Sequence, residues 1–245
     1  AGDAAHMTPP FAGQGLNSGM RDVRNLSWKL NMVLKGQSNR DILETYEEER
    51  HQHSQELIQF ALDLGSQIQP IDPEKAAERD GFFFELQKDK QAVEGFSAGM
   101  ANSILARALD RGIVIDPTES SINGQFIYQP KVTLKDGSLE QLDSLLGKGF
   151  SILGYNCDPD KVLDSATLED WQALGATTVA IRDKNNTDQN SGEWPLDATD
   201  SLAHHFQGGD HSMLLIRPDK FCLVAFNAAN AATALAQAKQ LLRLK

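Results

Sequence analysis

The sequence predicts an α/β chain, helical in its first part and built of alternating strands and helices in its second. Three observations carry that expectation. Apolar residues recur at spacings of three and four from Leu16 to Leu34, the period of one helix face. The texture changes near Gly112, where short β-rich runs begin to alternate with helical ones. Such alternation argues for a mixed sheet covered on both faces. The chain has 245 residues, 40% of them hydrophobic, enough for one large or two small cores, so two units are expected.

Taken in order, Ala1 to Gly13 reads as turn and loop. The first helix is expected over Gln14–Lys35, with Leu16, Met20, Val23, Leu26 or Ser27, Leu30 and Leu34 as its stripe and Gly36 as its stop. A second helix runs from a cap at Asn39 to Leu64, buries Ile42, Tyr46, Leu57 and Ala61 among others, and ends at Gly65. Its middle, EEERHQHSQE, reads as a solvated face. DPEKAAERDG gives a short turn or helix, and further helix is expected from Phe82 to Asp110. Strands follow at QFIYQPKVTL, FSILGY, TTVAIR, SMLLIRP and KFCLVAF, and helices at SLEQLDSLL, SATLEDWQAL, near LDATDSLAHHF, and at NAATALAQAKQLLRL. The last two strands meet at Arg217-Pro218-Asp219-Lys220, where a proline in second place suits a tight turn. DKNNTDQNSGEW reads as an exposed loop. The resulting order, β-α-β-α-β-α-β-β-α, is similar to that of a thioredoxin-like domain.

Composition narrows the function classes. A net charge of -11 with no basic stripe argues against nucleic acid as a partner. No apolar run approaches the roughly 20 residues of a membrane span, and no membrane partner is expected. Two lone cysteines, Cys157 and Cys222, and no visible signal peptide suit a cytoplasmic location. A single disulfide between them stays open at this level.

The opening string, GDAAHMTPPFAGQGLN, has the parts of a ligand loop. Asp3 follows a glycine, so its carboxylate can project from a tight turn and accept from hydroxyls. Pro9 and Pro10 stiffen the next stretch. Gly13 and Gly15 let the backbone approach a ligand closely. Gln14 to Asn17 opens a helix, whose first N–H groups lack internal partners and carry partial positive charge. A planar ring that becomes anionic would be stabilised there. On the Gly-x-Gly alone, plain helix entry is the commoner explanation. The long ordered string GDAAH, PP, GQG-x-N, then RD-x-x-NL-x-WKL, shifts the balance to a site.

That string resembles the class A flavoprotein aromatic monooxygenases. YEEER, QFIYQPKVTLKDG, WQALG and LLIRPDKF are similar to 3-(3-hydroxyphenyl)propionate hydroxylases and related phenol hydroxylases. The resemblance covers most of the chain and is weakest from Ile71 to Ser121. It implies a helical C-terminal part of a flavin monooxygenase FAD domain over residues 1–70, a helical connection over 71–121, and a thioredoxin-like domain over 122–245. It implies FAD as cofactor and NADH or NADPH as co-substrate. Asp3 would bind the ribityl chain. Pro10, Gly13, Gln14, Gly15, Leu16 and Asn17 would lie along the isoalloxazine, and Pro9 or Pro10 would border a small phenolic substrate. His6 is part of the string without a base role. The implied reaction is hydroxylation ortho to a phenol through a C4a-hydroperoxyflavin. No G-x-G-x-x-G and no DG motif occurs ahead of the loop, so the chain resembles the back half of such an enzyme. The N-terminal half is then an expected partner, a homodimer a further one, and the 245 residues alone are expected to be inactive. The competing reading is a non-catalytic thioredoxin-like interaction or dimerisation module.

Other candidates are weaker. Cys157 stands where a C-x-x-C would sit, but the second position is Asp160, so no dithiol can form. His51 and His53 point about 200° apart on a helix, and His204, His205 and His211 with Asp210 lack a ligand spacing, so no metal is expected. Trp28 and Trp171 read as core. Phe82, Phe83 and Phe84 suit an interface better than the wall of a substrate pocket.

Overall fold

In the computed structural model the chain is described over residues 1–104, 108–118, 122–186, 193–206 and 209–245 (backbone alone for 101–104). Part of the helix expected up to Asp110, and residues 187–192 of the expected DKNNTDQNSGEW loop, lie outside the described residues. Contacts group the chain into two units: Ala1–Ser27 with Tyr46–Arg107, and Trp28–Thr45 with Ala108–Lys245.

The first unit is helical. It holds the start of α1 (Gly15–Leu34), most of α2 (Glu44–Ile68), α3 (Pro73–Leu86) and α4 (Lys90–Ile104). The period of α1 is as expected, but its buried face is not. Leu16, Met20 and Val23 are 79%, 62% and 58% exposed, whereas Ser18, Asp22 and Asn25 are buried. The polar residues also recur at helical spacing, and they are held inside by ionic and amide partners from α2 (below), which offset the cost of burying them. For the same reason the middle of α2 is not simply solvated: Glu47 and Glu48 are exposed, but Glu49, Arg50 and Ser54 are buried. Gly65 does not end α2, which continues to Ile68. It is a notch instead, because a Cβ there would lie 2.4 Å from Cε2 of Phe11 in the opening loop. The stretch after it is a full helix, α3, whose cap Asp72 accepts from the Glu74 N–H at 2.9 Å. Phe82, Phe83 and Phe96 of α3 and α4 cluster edge to face, with centroids 5.2–6.1 Å apart.

The second unit contains β1 (Lys131–Thr133), β2 (Leu139–Gln141), α5 (Leu142–Leu146), β3 (Ser151–Tyr155), α6 (Pro159–Val162), α7 (Ser165–Ala173), β4 (Thr177–Ile181), β5 (Leu196–Asp197), α8 (Ala203–Phe206), β6 (Met213–Ile216), β7 (Cys222–Phe226) and α9 (Ala231–Leu241). A four-stranded mixed sheet has the order β4-β3-β6-β7. In it β3 and β4 are parallel, and β6 is antiparallel to both β3 and β7. Every residue of β3 and β6 is buried, as expected of a sheet covered on both faces. Side chains alternate between two cores. Ile152 and Leu215 join Trp28, Met32, Phe150 and Leu235 in one, while Leu153 and Leu214 join Ile127, Val132 and Leu142 in the other.

Two expected elements are shorter than their patterns. QFIYQPKVTL is a strand only at Lys131–Thr133, and it pairs with β2 and β5 in a separate three-stranded sheet. Pro130, with no N–H to give, stands immediately before it. SLEQLDSLL divides into β2 and the five-residue α5. Residues 28–45, grouped by sequence with the opening segment, make their contacts with the second unit. There Trp28 meets Phe150 edge to face at 5.6 Å, and Phe150 meets Trp171 at 5.7 Å.

The β6–β7 turn explains the LLIRPDKF string. Arg217, fully buried, donates to both carboxylate oxygens of Asp219 at 3.0 and 2.6 Å and to the Ile113 carbonyl at 2.9 Å, with its guanidinium 5.2 Å from the Trp28 ring centre. Lys220 takes a left-handed φ of 69° and donates to the Gly147 carbonyl at 2.6 Å. These residues are a structural rivet, with Arg217 and Asp219 paired and Lys220 held by a carbonyl.

Candidate cofactor-binding site

The opening loop is two short 3-10 turns, Gly2–Ala4 and Pro10–Ala12, laid against α1 and α2. Pro9 is extended, and Gly13 reverses the chain at φ 62°, a left-handed conformation that glycine adopts at little cost. The Gly13 N–H is occupied: it donates to the Pro10 carbonyl at 2.9 Å. The next four are not. Ser18 is the first amide to find a helical acceptor, the Gln14 carbonyl at 2.8 Å, and among the described residues the N–H groups of Gln14, Gly15, Leu16 and Asn17 have no acceptor. They are the orphan donors of a 20-residue helix. The Asn17 side chain donates to the Gln14 side-chain oxygen at 3.2 Å.

A cleft of about 810 Å³ opens at this point. Its lining brings the Asp3 turn together with Gly15, Leu16 and Asn17, and the exposed Met20 and Val23 continue its wall. The size is that of a small-molecule site. Pro9, Pro10, Gly13 and Gln14 are not among the residues lining it.

Beneath the loop lies a polar network. Asp22 accepts from the Gly2 N–H at 2.9 Å, from His6 Nε2 at 2.7 Å and from Arg50 Nε at 2.8 Å. Asn25 donates to Glu49 at 2.6 Å. The RD-x-x-N and YEEER strings are therefore two halves of one contact. Burial pushes the Asp22 carboxyl up, but the hydrogen bonds from Gly2, Arg50 and His6 outweigh it and leave its pKa below the usual value. Burial, followed by the charge of Asp22, raises the Tyr46 phenol. Sequence reasoning missed Asp22, Asn25, Glu49 and Arg50 as a network. The available signal was the polar residues Ser18, Asp22, Asn25 and Lys29, which repeat at helical spacing just as the apolar stripe does.

The remaining candidates do not assemble a site. Burial pushes up the thiols of both Cys157 and Cys222, which are free. His53 is engaged by Arg50 at 2.7 Å. Among the described residues no group of three or more His, Cys, Asp or Glu is placed to hold a metal ion, and no helix is long and apolar enough to cross a membrane.

Comparison with known proteins matches two segments of the chain. Residues 1–61 match the FAD binding domain family model, and residues 124–241 match the HcaD C-terminal domain. The 3-(3-hydroxy-phenyl)propionate/3-hydroxycinnamic acid hydroxylase of Burkholderia cenocepacia (strain HI2424) is 32% identical over 94% of this chain and 44% of its own length. That of Mycolicibacterium smegmatis (strain ATCC 700084 / mc(2)155) is 33% identical over 97% of this chain and 43% of its own. The chain thus spans less than half the length of these relatives. Among solved structures, aklavinone-11 hydroxylase in a ternary complex with FAD and aklavinone superposes with a TM-score of 0.70 at 24% identity, over 99% of this chain and 43% of that one. The flavin-dependent monooxygenase PieE, in complex with FAD and substrate, gives 0.65 at 18% identity, over 96% and 46%. At such identities the structures speak for the fold alone. The curated relatives and the two matched segments make this chain similar to the flavoprotein monooxygenases.

Proposed function

We propose that these residues form the ring-side part of the FAD site of an aromatic hydroxylase that uses NADH or NADPH and acts on a small phenolic acid such as 3-(3-hydroxyphenyl)propionate. The supporting observation is the cleft itself, where the Asp3 turn and the unpartnered first-turn amides of α1 face one space. In this reading Asp3 accepts from the ribityl hydroxyls. The amides of Gly15, Leu16 and Asn17 donate to the electron-rich edge of the ring, where the helix dipole adds to them. Gly13 and Gln14 shape the approach to that edge. The Pro10 carbonyl already accepts from Gly13, which makes Pro9 the freer of the two prolines to border the phenol. FAD, when bound, supplies the oxygen-transfer chemistry, and the protein's share is orientation, charge stabilisation and exclusion of water.

The sequence holds no G-x-G-x-x-G, so these 245 residues alone are expected not to turn over substrate, because flavin orientation supplies much of such catalysis. A chimera joining them to the N-terminal portion of the Mycolicibacterium smegmatis relative tests the reading. It should bind FAD and couple NAD(P)H oxidation to formation of a catechol. Asp3→Ala in the chimera should weaken FAD binding by roughly tenfold, the worth of a hydrogen bond to a charged group. Unchanged FAD affinity in Asp3→Ala would refute the assignment.

A further inference from the structure

Asp22 has no exposed surface, yet it takes three donors from two parts of the chain. Oδ2 accepts the Gly2 N–H and the His6 ring, both in the opening loop, and Oδ1 accepts Arg50 from α2. Arg50 is held in turn by His53 and lies 3.5 Å from Ser18 Oγ. None of Asp22, Arg50 and His6 lines the cleft, whereas Asp3, bonded directly to Gly2, does. Gly2 sits at a left-handed φ of 60°, and its turn is closed internally only by its own carbonyl, which accepts from Ala5 and His6. Its N–H points the other way, into the buried carboxylate. The loop also lies close on α1, where a Cβ at Gly19 would be 3.3 Å from the Gly2 Cα.

We infer that Asp22, backed by Arg50 and His6, is the positioning residue that aims Asp3 into the cleft. This role rests on the flavin reading of that cleft. The lever is short: Asp22 holds the Gly2 N–H, and Ala5 and His6 hold the Gly2 carbonyl, so both sides of Gly2 are fixed where the Asp3 side chain leaves the turn. The anchor is stiff because it is dry. A buried carboxylate with charge-assisted partners holds its geometry better than an exposed one, and losing one partner leaves the others unpaired inside the protein. The arrangement also explains why YEEER and GDAAH occur together in one chain: the arginine of the first fixes the aspartate of the second through Asp22.

The experiment uses the 245-residue chain and the chimera in parallel, with Asp22→Asn, Arg50→Lys and the milder His6→Ala, which removes one of the three donors and keeps the variant set informative should Asp22→Asn fail to fold. Amide hydrogen exchange is read in the chain, and FAD affinity in the chimera. Exchange over residues 2–6 should accelerate by about tenfold or more while α3 and α4 keep their protection, as for loss of one local hydrogen bond. FAD affinity should fall by roughly tenfold, and the fall should vanish in an Asp3→Ala background, since the two residues act in series. Additive losses from Asp22→Asn and Asp3→Ala, loop exchange that does not change, or a freed loop with undiminished FAD affinity would each overturn the positioning role. An unsubstituted chimera that binds no FAD refutes the flavin reading instead, and the positioning role falls with it however the loop exchanges.

Discussion

His205 and Asp22 respond to acid in different pH ranges. Burial, and then the neighbouring His204, hold His205 down to about 4, from an ordinary value of 6.5. Between those values the unfolded chain binds the proton and the folded chain does not, so stability falls as pH drops from 6.5 towards 4. His205→Leu should flatten that part of the stability-versus-pH curve, measured by denaturant unfolding at a series of pH values. Asp22 shifts in the same direction for a different reason, its hydrogen-bond donors outweighing its burial. Its folded pKa is lowered from 3.8, so its contribution is complete above 3.8 and is lost as pH falls below that through the folded value. Asp22→Asn should therefore be less stable at neutral pH and should lack the steep loss below pH 3.8. Part of this was legible from residue types. The Gly-Asp turn and the GQG-x-N entry held Asp3, Gly15, Leu16 and Asn17, which line the cleft, whereas Pro9, Pro10, Gly13 and Gln14 do not. The partners beneath them left only a polar period on α1 as a signal, because a buried Asp–Arg pair reads in sequence like two ordinary surface charges until both helices are in place.

At the scale of elements, periodicity located α1 but could not say which face it buries. Leu16, Met20 and Val23 share one phase and Ser18, Asp22 and Asn25 another, and transfer energies alone favour burying the first set. Pairing across to Glu49 and Arg50 reverses that choice for this segment. Strands β3, β6 and β7 were legible because they are buried almost throughout and largely apolar, and β4 because β-branched residues recur in it. The stretch around Pro130 was overread because β-branched and aromatic residues there pack without laddering. Gly65 was misread as a stop when it is a seat for Phe11. Alanine in a helix interior is ordinarily better than glycine by about 1 kcal/mol, yet Gly65→Ala should destabilise by about 1–3 kcal/mol through overpacking. Adding Phe11→Ala to it should recover part of that loss, which thermal melts of the two single variants and the double variant will show.

For the whole molecule, the exposed apolar wall of the cleft bears on behaviour in solution. Leu16, Met20 and Val23 form an apolar patch on a chain that otherwise carries a net charge of -11. Met20→Lys should reduce concentration-dependent association in sedimentation experiments while shifting unfolding free energy by no more than about 0.5 kcal/mol, as for other exposed positions.

The chain passes between its two contact groupings inside α1, between Ser27 and Trp28, and returns next to the start of α2, between Thr45 and Tyr46. No single backbone cut can therefore part them. A truncation that follows the matched segment 124–241 would discard Trp28, Met32 and Ile42 and open a hole over Phe150, at about 3–5 kcal/mol for the tryptophan alone. Anyone excising the C-terminal half for separate study would do better to graft residues 28–45 back on through a linker than to trim at the family boundary.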